Sequence, residues 1–319
     1  MYYVGIDLGG TNIAAGVVSQ DYKIIAKDST PTKADRDPEL IIKDMGALCD
    51  RVIEKAGITY DDVISAGIAT PGTADSSTGI VEYANNLPFR HFPLADTLKK
   101  YTKFKEVHIE NDANAAAWGE AVAGAAKDVK DSVFITLGTG VGGGIVIDRK
   151  VYAGFNYAGA ELGHMVIVYE GEQCTCGRKG CWEAYSSATG LIRMTKKKMN
   201  ECPDSTMWKY VNGDISKVNG RTAFACMEND NDKPAAEVVD EYIAYLACGL
   251  INIINIFQPE ILSIGGGICH EGEWLMAPLR KYIEKATYGG EGSTIKQCKV
   301  VIAELGNDAG IIGGAVLGI

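Results

Sequence analysis

Four potential metal ligands lie close together in the middle of the chain. His164 is followed ten residues later by a Cys-x-Cys-x4-Cys run formed by Cys174, Cys176 and Cys181. One imidazole and three thiolates are a ligand set that closes a tetrahedral structural zinc site. The alternative is a set of unconnected buried thiols, but three cysteines within eight residues are an improbable accident in a chain with nine. The spacing therefore predicts a bound Zn2+.

Two carboxylates bracket these ligands. Glu161 and Glu183 stand at the ends of the segment and are not needed to bind the metal. Zinc binding would supply folding free energy on the order of 10 kcal/mol and would hold both carboxylates and the His164 ring in fixed positions. Either glutamate alone would be interpreted as a solvated surface charge. Fixed together, they suit a neutral, polyhydroxylated ligand, so the segment is predicted to bind a sugar.

Two glycine-rich segments share one plan. Residues 4–18 predict a strand, a Gly-Gly-Thr-Asn turn and a second strand, and residues 133–147 repeat this pattern around Gly138-Thr-Gly. Such a repeat indicates an internal duplication. Backbone N–H groups of successive glycines can form a concavity that binds anions, and Thr11 and Thr139 add hydroxyl groups. Two matched hairpins favour phosphate binding over two plain β-turns.

Two common nucleotide-binding motifs are excluded. The string Gly138-x-Gly-x-x-Gly143 matches the dinucleotide fingerprint, but that fingerprint requires a helix directly after the glycines, whereas residues 145–147 predict a strand. No GxxxxGK(S/T) sequence is present, so a P-loop is also excluded.

Asp112 stands where a predicted strand, residues 107–110, gives way to a predicted helix, residues 113–126. A helix N-terminus carries roughly half a positive charge and favours an ionised carboxylate. A helix cap and a catalytic base both fit this position, and the residues alone do not separate them.

The other predicted elements must position these residues. Apolar spacing predicts helices over residues 38–56, 182–199, 234–257 and 309–319, a helix from residue 273, and strands over residues 63–69, 261–264 and 299–303. The strand at 261 ends in Gly265, Gly266 and Gly267, whose backbone could lie flat against a nucleotide base. Residues 84–93 predict a semi-rigid loop, either a binding loop or one without function. Residues 201–219 predict an exposed excursion.

Length and composition bound the class of protein. A chain of 319 residues allows two domains, and we place them at residues 1–115, with the terminal helix 304–319 returning to this small α/β domain, and at 116–303, a large domain with the zinc site. A net charge of −10 argues against nucleic-acid binding. No membrane-length apolar run and no secretory leader are expected, and nine cysteines then suggest reduced thiols in the cytoplasm.

With these residues in hand, the chain resembles the ROK family (repressors, open reading frames, kinases). The motifs that carry the resemblance run nearly end to end: Asp7-Leu-Gly-Gly-Thr, Pro71-Gly72, Asn86-Leu-Pro, Glu110-Asn-Asp-Ala-Asn, Gly138-Thr-Gly-Val-Gly-Gly-Gly, Glu161-x-Gly-His, the Cys cluster with Glu183, and Gly265-Gly-Gly. The resemblance implies an α/β, actin-like (ribonuclease H-like) sugar kinase fold of two domains with an active-site cleft between them.

The resemblance also implies roles for single residues. Asp112 matches the catalytic base of the family, and Asp7 matches a residue that holds Mg2+ through water. The sugar contacts are matched by Asn86, Asn111, Glu161, His164 and Glu183. His164 would also bind Zn2+ with Cys174, Cys176 and Cys181. The phosphate loops are matched by Gly9, Gly10, Thr11, Asn12, Thr139 and Gly140, and the adenosine side by Gly265, Gly266 and Gly267.

The implied activity is ATP-dependent phosphorylation of a hexose, with glucose and its 6-phosphate as the first expectation. Kinases of N-acetylmannosamine or fructose are alternatives, and the segment Phe89-Arg-His-Phe92, where many relatives have a Trp, suggests a different sugar rim. A sugar-sensing repressor needs a helix-turn-helix module, for which we see no room before the first strand. A binding protein that is stabilised by zinc but has no catalytic activity would lack the base, and Asp112 is present.

The expected partners are hexose, ATP and copies of the chain in a homodimer or homotetramer.

Overall fold

The computed structural model describes all residues from 1 to 319. The strands are β1 (Tyr2–Leu8), β2 (Asn12–Ser19), β3 (Ile24–Pro31), β4 (Val63–Thr70), β5 (Thr73–Asp75), β6 (Ile80–Tyr83), β7 (Arg90–Phe92), β8 (Val107–Asn111), β9 (Ser132–Leu137), β10 (Val141–Ile147), β11 (Lys150–Val151), β12 (Ile261–Gly265) and β13 (Lys299–Ile302). The α-helices are α1 (Pro38–Ala56), α2 (Leu94–Tyr101), α3 (Asp112–Ala123), α4 (Trp182–Ser186), α5 (Ala188–Glu201), α6 (Thr206–Tyr210), α7 (Thr222–Asp230), α8 (Lys233–Phe257), α9 (Glu273–Ala286) and α10 (Ala309–Ala315).

The first five-stranded sheet has the order β3-β2-β1-β4-β8. Strand β2 pairs antiparallel with β1 and β3, whereas β4 pairs parallel with β1 and β8. Helices α1 and α10 both pack on this sheet, and the central strands are correspondingly apolar. The predicted β1–β2 hairpin is confirmed, and its turn lies at residues 9–11.

Helix α1 shows why its boundaries are readable from the sequence. Asp37 caps the N-terminus by accepting a hydrogen bond of 2.8 Å from the backbone N–H of Glu39, and Pro38 follows at the first helical position. Gly57 ends the helix in a left-handed conformation with φ of 69°. The helix predicted over residues 38–56 is therefore confirmed.

Helix α10 lies very close to the first sheet. A methyl group on Gly5 or Gly67 would collide with the carbonyl oxygens of Ile311 and Gly314. The two backbones can approach this closely only because glycine has no Cβ. The predicted small-residue helix at the end of the chain is confirmed, although it ends at Ala315.

The second five-stranded sheet has the order β11-β10-β9-β12-β13. Like the first sheet, it contains two neighbouring strands, β9 and β10, joined by a short glycine turn at residues 138–140. Strand β12 pairs parallel with β13. A third sheet of three short strands, β5-β6-β7, was not expected from the sequence, and β7 occupies part of the segment predicted as a loop over residues 84–93.

The chain divides into two compact units. The first contains residues 1–134, 144–160 and 303–319, and the second contains residues 135–143 and 161–302. The boundary placed near residue 115 from the sequence divides the chain differently, because α3 and residues 144–160 belong to the first unit. The assignment of functional domains stays a prediction.

Two sequence expectations in the second unit are wrong. Residues 182–199 are not one helix, because Ser187 separates α4 from α5 and caps α5 by accepting a hydrogen bond of 3.1 Å from the N–H of Gly190. Residues 201–219 are not an exposed excursion. They contain α6, and they bury Met207, Val211 and Val218.

Helix α8 is long and apolar enough to cross a membrane by length and composition alone, with a mean hydropathy of 1.3 in its most apolar window. Half of that window is buried, and the buried face packs against α4, α5, α7 and α9. Such packing is typical of a core helix. The sequence places this helix over residues 234–257, and the structure confirms it from Lys233 to Phe257.

Glu120 supplies the first testable expectation. Its carboxylate is 1% exposed and accepts hydrogen bonds from the backbone N–H groups of Ala125, Glu304 and Leu305, at 2.8, 3.2 and 2.8 Å. Glu120→Ala leaves these donors unsatisfied and is expected to lower the free energy of unfolding by about 3 kcal/mol or more, measured by urea denaturation. The control Glu106→Ala removes an exposed carboxylate and is expected to change it by less than about 0.5 kcal/mol. Equal effects of the two variants would contradict this role of Glu120.

Candidate functional site

The four predicted metal ligands come together in the second unit. One ligand atom from each of His164, Cys174, Cys176 and Cys181 lies within 4.8 Å of all the others. The Sγ atoms of Cys176 and Cys181 are 3.6 Å apart, and Nδ1 of His164 is 3.7 Å from Sγ of Cys174. Four ligands at zinc distances form a tetrahedron with edges of about 3.8 Å. The cluster therefore fits one Zn2+ ion with small side-chain adjustments.

Tight turns bring these ligands together. The N–H of Cys174 donates to the carbonyl of Arg178 at 2.9 Å, which folds the intervening residues into a small loop. Gly180, with φ of 80°, packs against the carbonyl oxygen of Val168 with no space for a side chain. His164 ends a short 3-10 helix, Leu162–His164, that precedes this loop.

The two nitrogens of the His164 ring face different partners. Nδ1 points to the cysteine cluster, whereas Nε2 lies 3.9 Å from Oε2 of Glu161. A carboxylate near the second nitrogen orients a metal-binding imidazole. Glu161 itself is exposed, so its oxygens can also reach a ligand.

Glu183 joins the cysteine cluster to the second glycine turn. Its Oε2 accepts a hydrogen bond of 2.9 Å from the backbone N–H of Val141, directly after the turn. Its Oε1 lies 3.3 Å from the hydroxyl of Thr175 and 3.6 Å from Sγ of Cys174. A side chain at Gly140 would collide with this carboxylate, so glycine at this position lets Glu183 keep its hydrogen bond to Val141.

The second glycine turn is also held by the start of α5. The hydroxyl of Thr189 donates to the carbonyl of Thr139 at 2.8 Å, and the N–H of Ala188 donates to the carbonyl of Gly138 at 2.9 Å. Gly266, with φ of 97°, packs directly on the backbone of Leu137, the last residue of β9. The Gly265–Gly267 segment and the turn therefore lie side by side in the second unit.

The first glycine turn depends on a residue that sequence reasoning did not find. Thr32 is completely buried, and its hydroxyl donates to the carbonyl of Gly9 at 2.6 Å. Its backbone N–H donates to the carbonyl of Thr11 at 2.8 Å. Thr32 follows β3, so only the pairing of β3 with β2 reveals this role.

Other predicted residues of the first unit lie near this turn. The side chain of Asn86 lies beside Gly10, where an added methyl group would touch its Cβ at 3.4 Å. Asp7 lies near the end of β1 beside Gly310, and burial raises the pKa of its carboxyl above the ordinary value.

Asn111, not Asp112, caps helix α3. Oδ1 of Asn111 accepts hydrogen bonds from the N–H groups of Ala113 and Asn114 at 3.0 and 3.2 Å, and its Nδ2 donates to the carbonyl of Gly72 at 3.1 Å. Asp112 is the exposed first residue of the helix, and its Oδ1 accepts from the N–H of Ala113 at 2.9 Å. The cap interpretation of Asp112 is therefore wrong, whereas its role as a base stays a prediction.

The buried carboxyl group of Glu110 supports the start of helix α3. Oε1 of Glu110 accepts hydrogen bonds from the N–H of Asn111 at 2.9 Å and from Nδ2 of Asn114 at 3.1 Å. Burial raises the pKa of Glu110, although both hydrogen bonds act in the opposite direction.

The raised pKa of Glu110 predicts a pH-dependent stability. The stabilising neutral form is fully populated below the ordinary value of 4.5 and is lost as the pH rises through the higher pKa of the folded protein. Glu110→Gln stays neutral and keeps an acceptor oxygen, so its free energy of unfolding relative to the wild type should rise between pH 4.5 and 8. Glu110→Ala should lose about 1–3 kcal/mol at pH 4.5, because two donors are left unsatisfied, and less at pH 8, because it also removes the group that titrates. Urea denaturation at each pH measures both effects, and a Gln variant as unstable as the Ala variant at pH 8 would contradict them.

The chain is similar over nearly its whole length to glucokinases and to a xylose repressor of known sequence or structure. A glucokinase from Thermotoga maritima is 37% identical over 313 residues, which cover 98% of this chain and 95% of that protein. The crystal structure of a ROK family glucokinase from Streptomyces griseus in complex with glucose and AMPPNP matches with a TM-score of 0.83 and 35% identity, and the match covers 99% of both chains. A xylose repressor from Caldicellulosiruptor bescii is 28% identical over 97% of this chain and 76% of its own length.

These matches confirm the α/β, actin-like sugar kinase fold expected from the sequence motifs. The model of the ROK family matches residues 3–319, which is nearly the whole chain. The chain therefore belongs to the ROK family.

Proposed function

We propose that this protein is an ATP-dependent hexose kinase that converts glucose to glucose 6-phosphate. The observation that carries the proposal is Glu183, whose carboxylate contacts both the cysteine cluster and the N–H of Val141 beside the glycine turn. One side chain thus joins the predicted sugar segment to a predicted phosphate turn. The similarity to a glucokinase that binds glucose and AMPPNP supports this pairing of ligands.

The proposed sugar contacts are Asn86, Asn111, Glu161, His164 and Glu183. Their amide, imidazole and carboxylate groups offer donors and acceptors to several hydroxyl groups of one hexose. Zinc bound by the Nδ1 side of His164 would leave Nε2, near Glu161, for the sugar. The metal has a structural role in this proposal, because it holds the ring and the flanking carboxylates in place.

Asp112 is proposed as the general base. As the sugar oxygen forms a bond to the γ-phosphorus, the bond from this phosphorus to the bridging oxygen of ADP breaks, and Asp112 takes the hydroxyl proton. The carboxylate stands on the first turn of α3 and is exposed, so it can contact the hydroxyl group of a bound sugar. Because Asn111 already caps the helix, Asp112 is not required for capping.

The two glycine turns are proposed to bind the phosphates of ATP through Gly9, Gly10, Thr11, Asn12, Thr139 and Gly140. Mg2+, held by Asp7 through water and by the phosphates, would neutralise charge that develops during transfer. Hydrogen bonds from Thr32 and Thr189 and to Glu183 fix the two turns. The backbone N–H groups of the turns therefore need little reorganisation when the phosphates bind.

An apolar groove in the second unit is proposed for the adenine ring. Its volume is about 520 Å3, and it lies between α7, α8 and the start of α9, with Met227, Val239, Ile243 and Trp274 in its lining. Trp274 is half exposed and could stack on a base. A 3-10 helix, Gly267–Glu271, connects the Gly265–Gly267 segment with α9, which lines this groove.

A sugar-sensing regulator is the second candidate, and the similarity to a xylose repressor favours it. ADP release measured over a panel of glucose, mannose, fructose and N-acetylated hexoses separates the two. A kinase releases ADP with at least one hexose, whereas a regulator binds a sugar without turnover. Absence of hexose-dependent ADP release would reject the proposed function. The proposed setting is the cytoplasm, with the chain assembled as a homodimer or homotetramer.

Removal of the proposed base should separate chemistry from binding. Asp112→Asn is expected to lower kcat by at least about 100-fold, because a general base contributes at least that factor. Glucose binding, measured by calorimetry, and zinc content should stay close to those of the wild type. Asp128→Asn, which changes an exposed aspartate elsewhere in the first unit, serves as the control. A fully active Asp112→Asn enzyme would reject the role.

Removal of one metal ligand should affect the sugar site. Cys176→Ala is expected to lose bound zinc and to weaken hexose affinity, because His164 and both flanking carboxylates lose their anchor. Elemental analysis and hexose calorimetry measure these effects. Cys202→Ala, which removes a thiol outside the cluster, should retain both properties. A wild-type protein purified without zinc, or a Cys176→Ala protein with unchanged metal content, would contradict the metal assignment.

A further inference from the structure

We propose that Arg90 is a positioning residue that closes the loop carrying Asn86 and so shapes the sugar site. This inference rests on the proposed function, because the sugar role of Asn86 belongs to that proposal. The loop comprises residues 84–89 and connects β6 with β7. We call it the Asn86 loop.

The guanidinium of Arg90 binds both ends of the Asn86 loop. Its Nη1 donates to the carbonyl of Ala84 and to the carbonyl of Phe89, both at 2.6 Å. The N–H of Ala84 also donates to the carbonyl of Phe89 at 3.3 Å. Hydrogen bonds from a charged donor are stronger than those between neutral groups. A single side chain therefore ties together the two residues at which the loop leaves and rejoins the sheet.

Tyr83 holds the guanidinium in this position. Tyr83 and Arg90 are directly paired across the antiparallel strands β6 and β7, and the guanidinium carbon lies 4.1 Å from the centre of the Tyr83 ring. This is a cation–π contact between cross-strand neighbours. The hydroxyl of Tyr83 donates to Oδ1 of Asn85, the residue before Asn86. The paired side chains thus contact the loop at its ends and near its tip.

Hydrophobic packing holds part of the Asn86 loop. Leu87 and Phe89 are 3% and 0% exposed, and the ring of Phe89 stacks on Phe92 with centroids 4.9 Å apart. Asn85 and Asn86, in contrast, are exposed and bury no side chain of their own. Tyr83 therefore contacts the part of the loop that hydrophobic packing does not hold, whereas Arg90 joins its two buried ends, Ala84 and Phe89, to each other.

A preformed loop lowers the cost of binding. Without the Arg90 contacts, residues 84–86 sample more conformations, and sugar binding has to order them at a cost in affinity. The γ-phosphate and the base are not altered by this change. We therefore expect a larger effect on the KM for hexose than on kcat or on the KM for ATP.

The test compares three variants of the full-length protein. Arg90→Met removes all donors but keeps an apolar stem, and Arg90→Lys keeps the charge without the planar group that lies on Tyr83. His91→Asn is the matched control, because His91 contacts Glu82 on the same hairpin at 2.9 Å and Asn tolerates its φ of 47°. Hydrogen exchange of residues 84–89 without sugar and steady-state kinetics are measured for each.

Arg90→Met is expected to speed amide exchange in the Asn86 loop about 10-fold or more and to raise the KM for hexose about 10-fold, with the KM for ATP within about twofold. Arg90→Lys should lie between Arg90→Met and the wild type, and His91→Asn should match the wild type. Unchanged exchange in Arg90→Met would overturn the structural role of Arg90. Faster exchange with an unchanged KM for hexose would overturn its role in the sugar site. A wild-type protein that releases no ADP with any hexose would reject the proposed function itself, while the exchange data would still decide whether Arg90 holds the loop.

Discussion

The segment from Glu161 to Cys181 has to hold four ligand atoms within 4.8 Å of one another with very little regular structure. It contains one short 3-10 helix and two isolated β-bridges, and most of its side chains are exposed or half-buried. Such a segment buries too little apolar surface to offset the entropy lost when it is ordered. Metal–ligand bonds are the interaction that can supply the missing free energy. The position of every proposed sugar contact in the second unit depends on this constraint.

Glu183 extends the constraint to the second glycine turn. Its carboxylate accepts from the N–H of Val141, and it stands next to Cys174 and Thr175. The Cys174 thiol donates to Oε1 of Glu183, and if this thiol lost its proton on binding zinc, the charge of the metal would offset the repulsion between thiolate and carboxylate. The first glycine turn is held by a different device, the buried side chain of Thr32. The two turns therefore look alike in sequence, but different contacts support them.

The sequence predicts best where a residue type has a narrow chemical use. The zinc ligands follow from their spacing, and the bounds of α1 follow from Asp37, Pro38 and Gly57. Contacts between distant parts of the chain cannot be predicted in this way. Thr32 needs the pairing of β2 with β3, and the buried Asp232 accepts from the hydroxyl of Ser205, 27 residues away. The sequence does not reveal the buried side chains of residues 201–219, because Met207 and Val211 span only one helical turn, which is too short to show a period.

We propose that a metal ion orders the residues that bind the sugar. The decisive experiment is calorimetric titration of glucose into the wild-type protein before and after removal of zinc by a chelator. We expect one zinc per chain, a marked loss of glucose affinity in the metal-free protein, and recovery when zinc is restored. Metal-free protein that remains folded and binds glucose as tightly as the zinc form would contradict it.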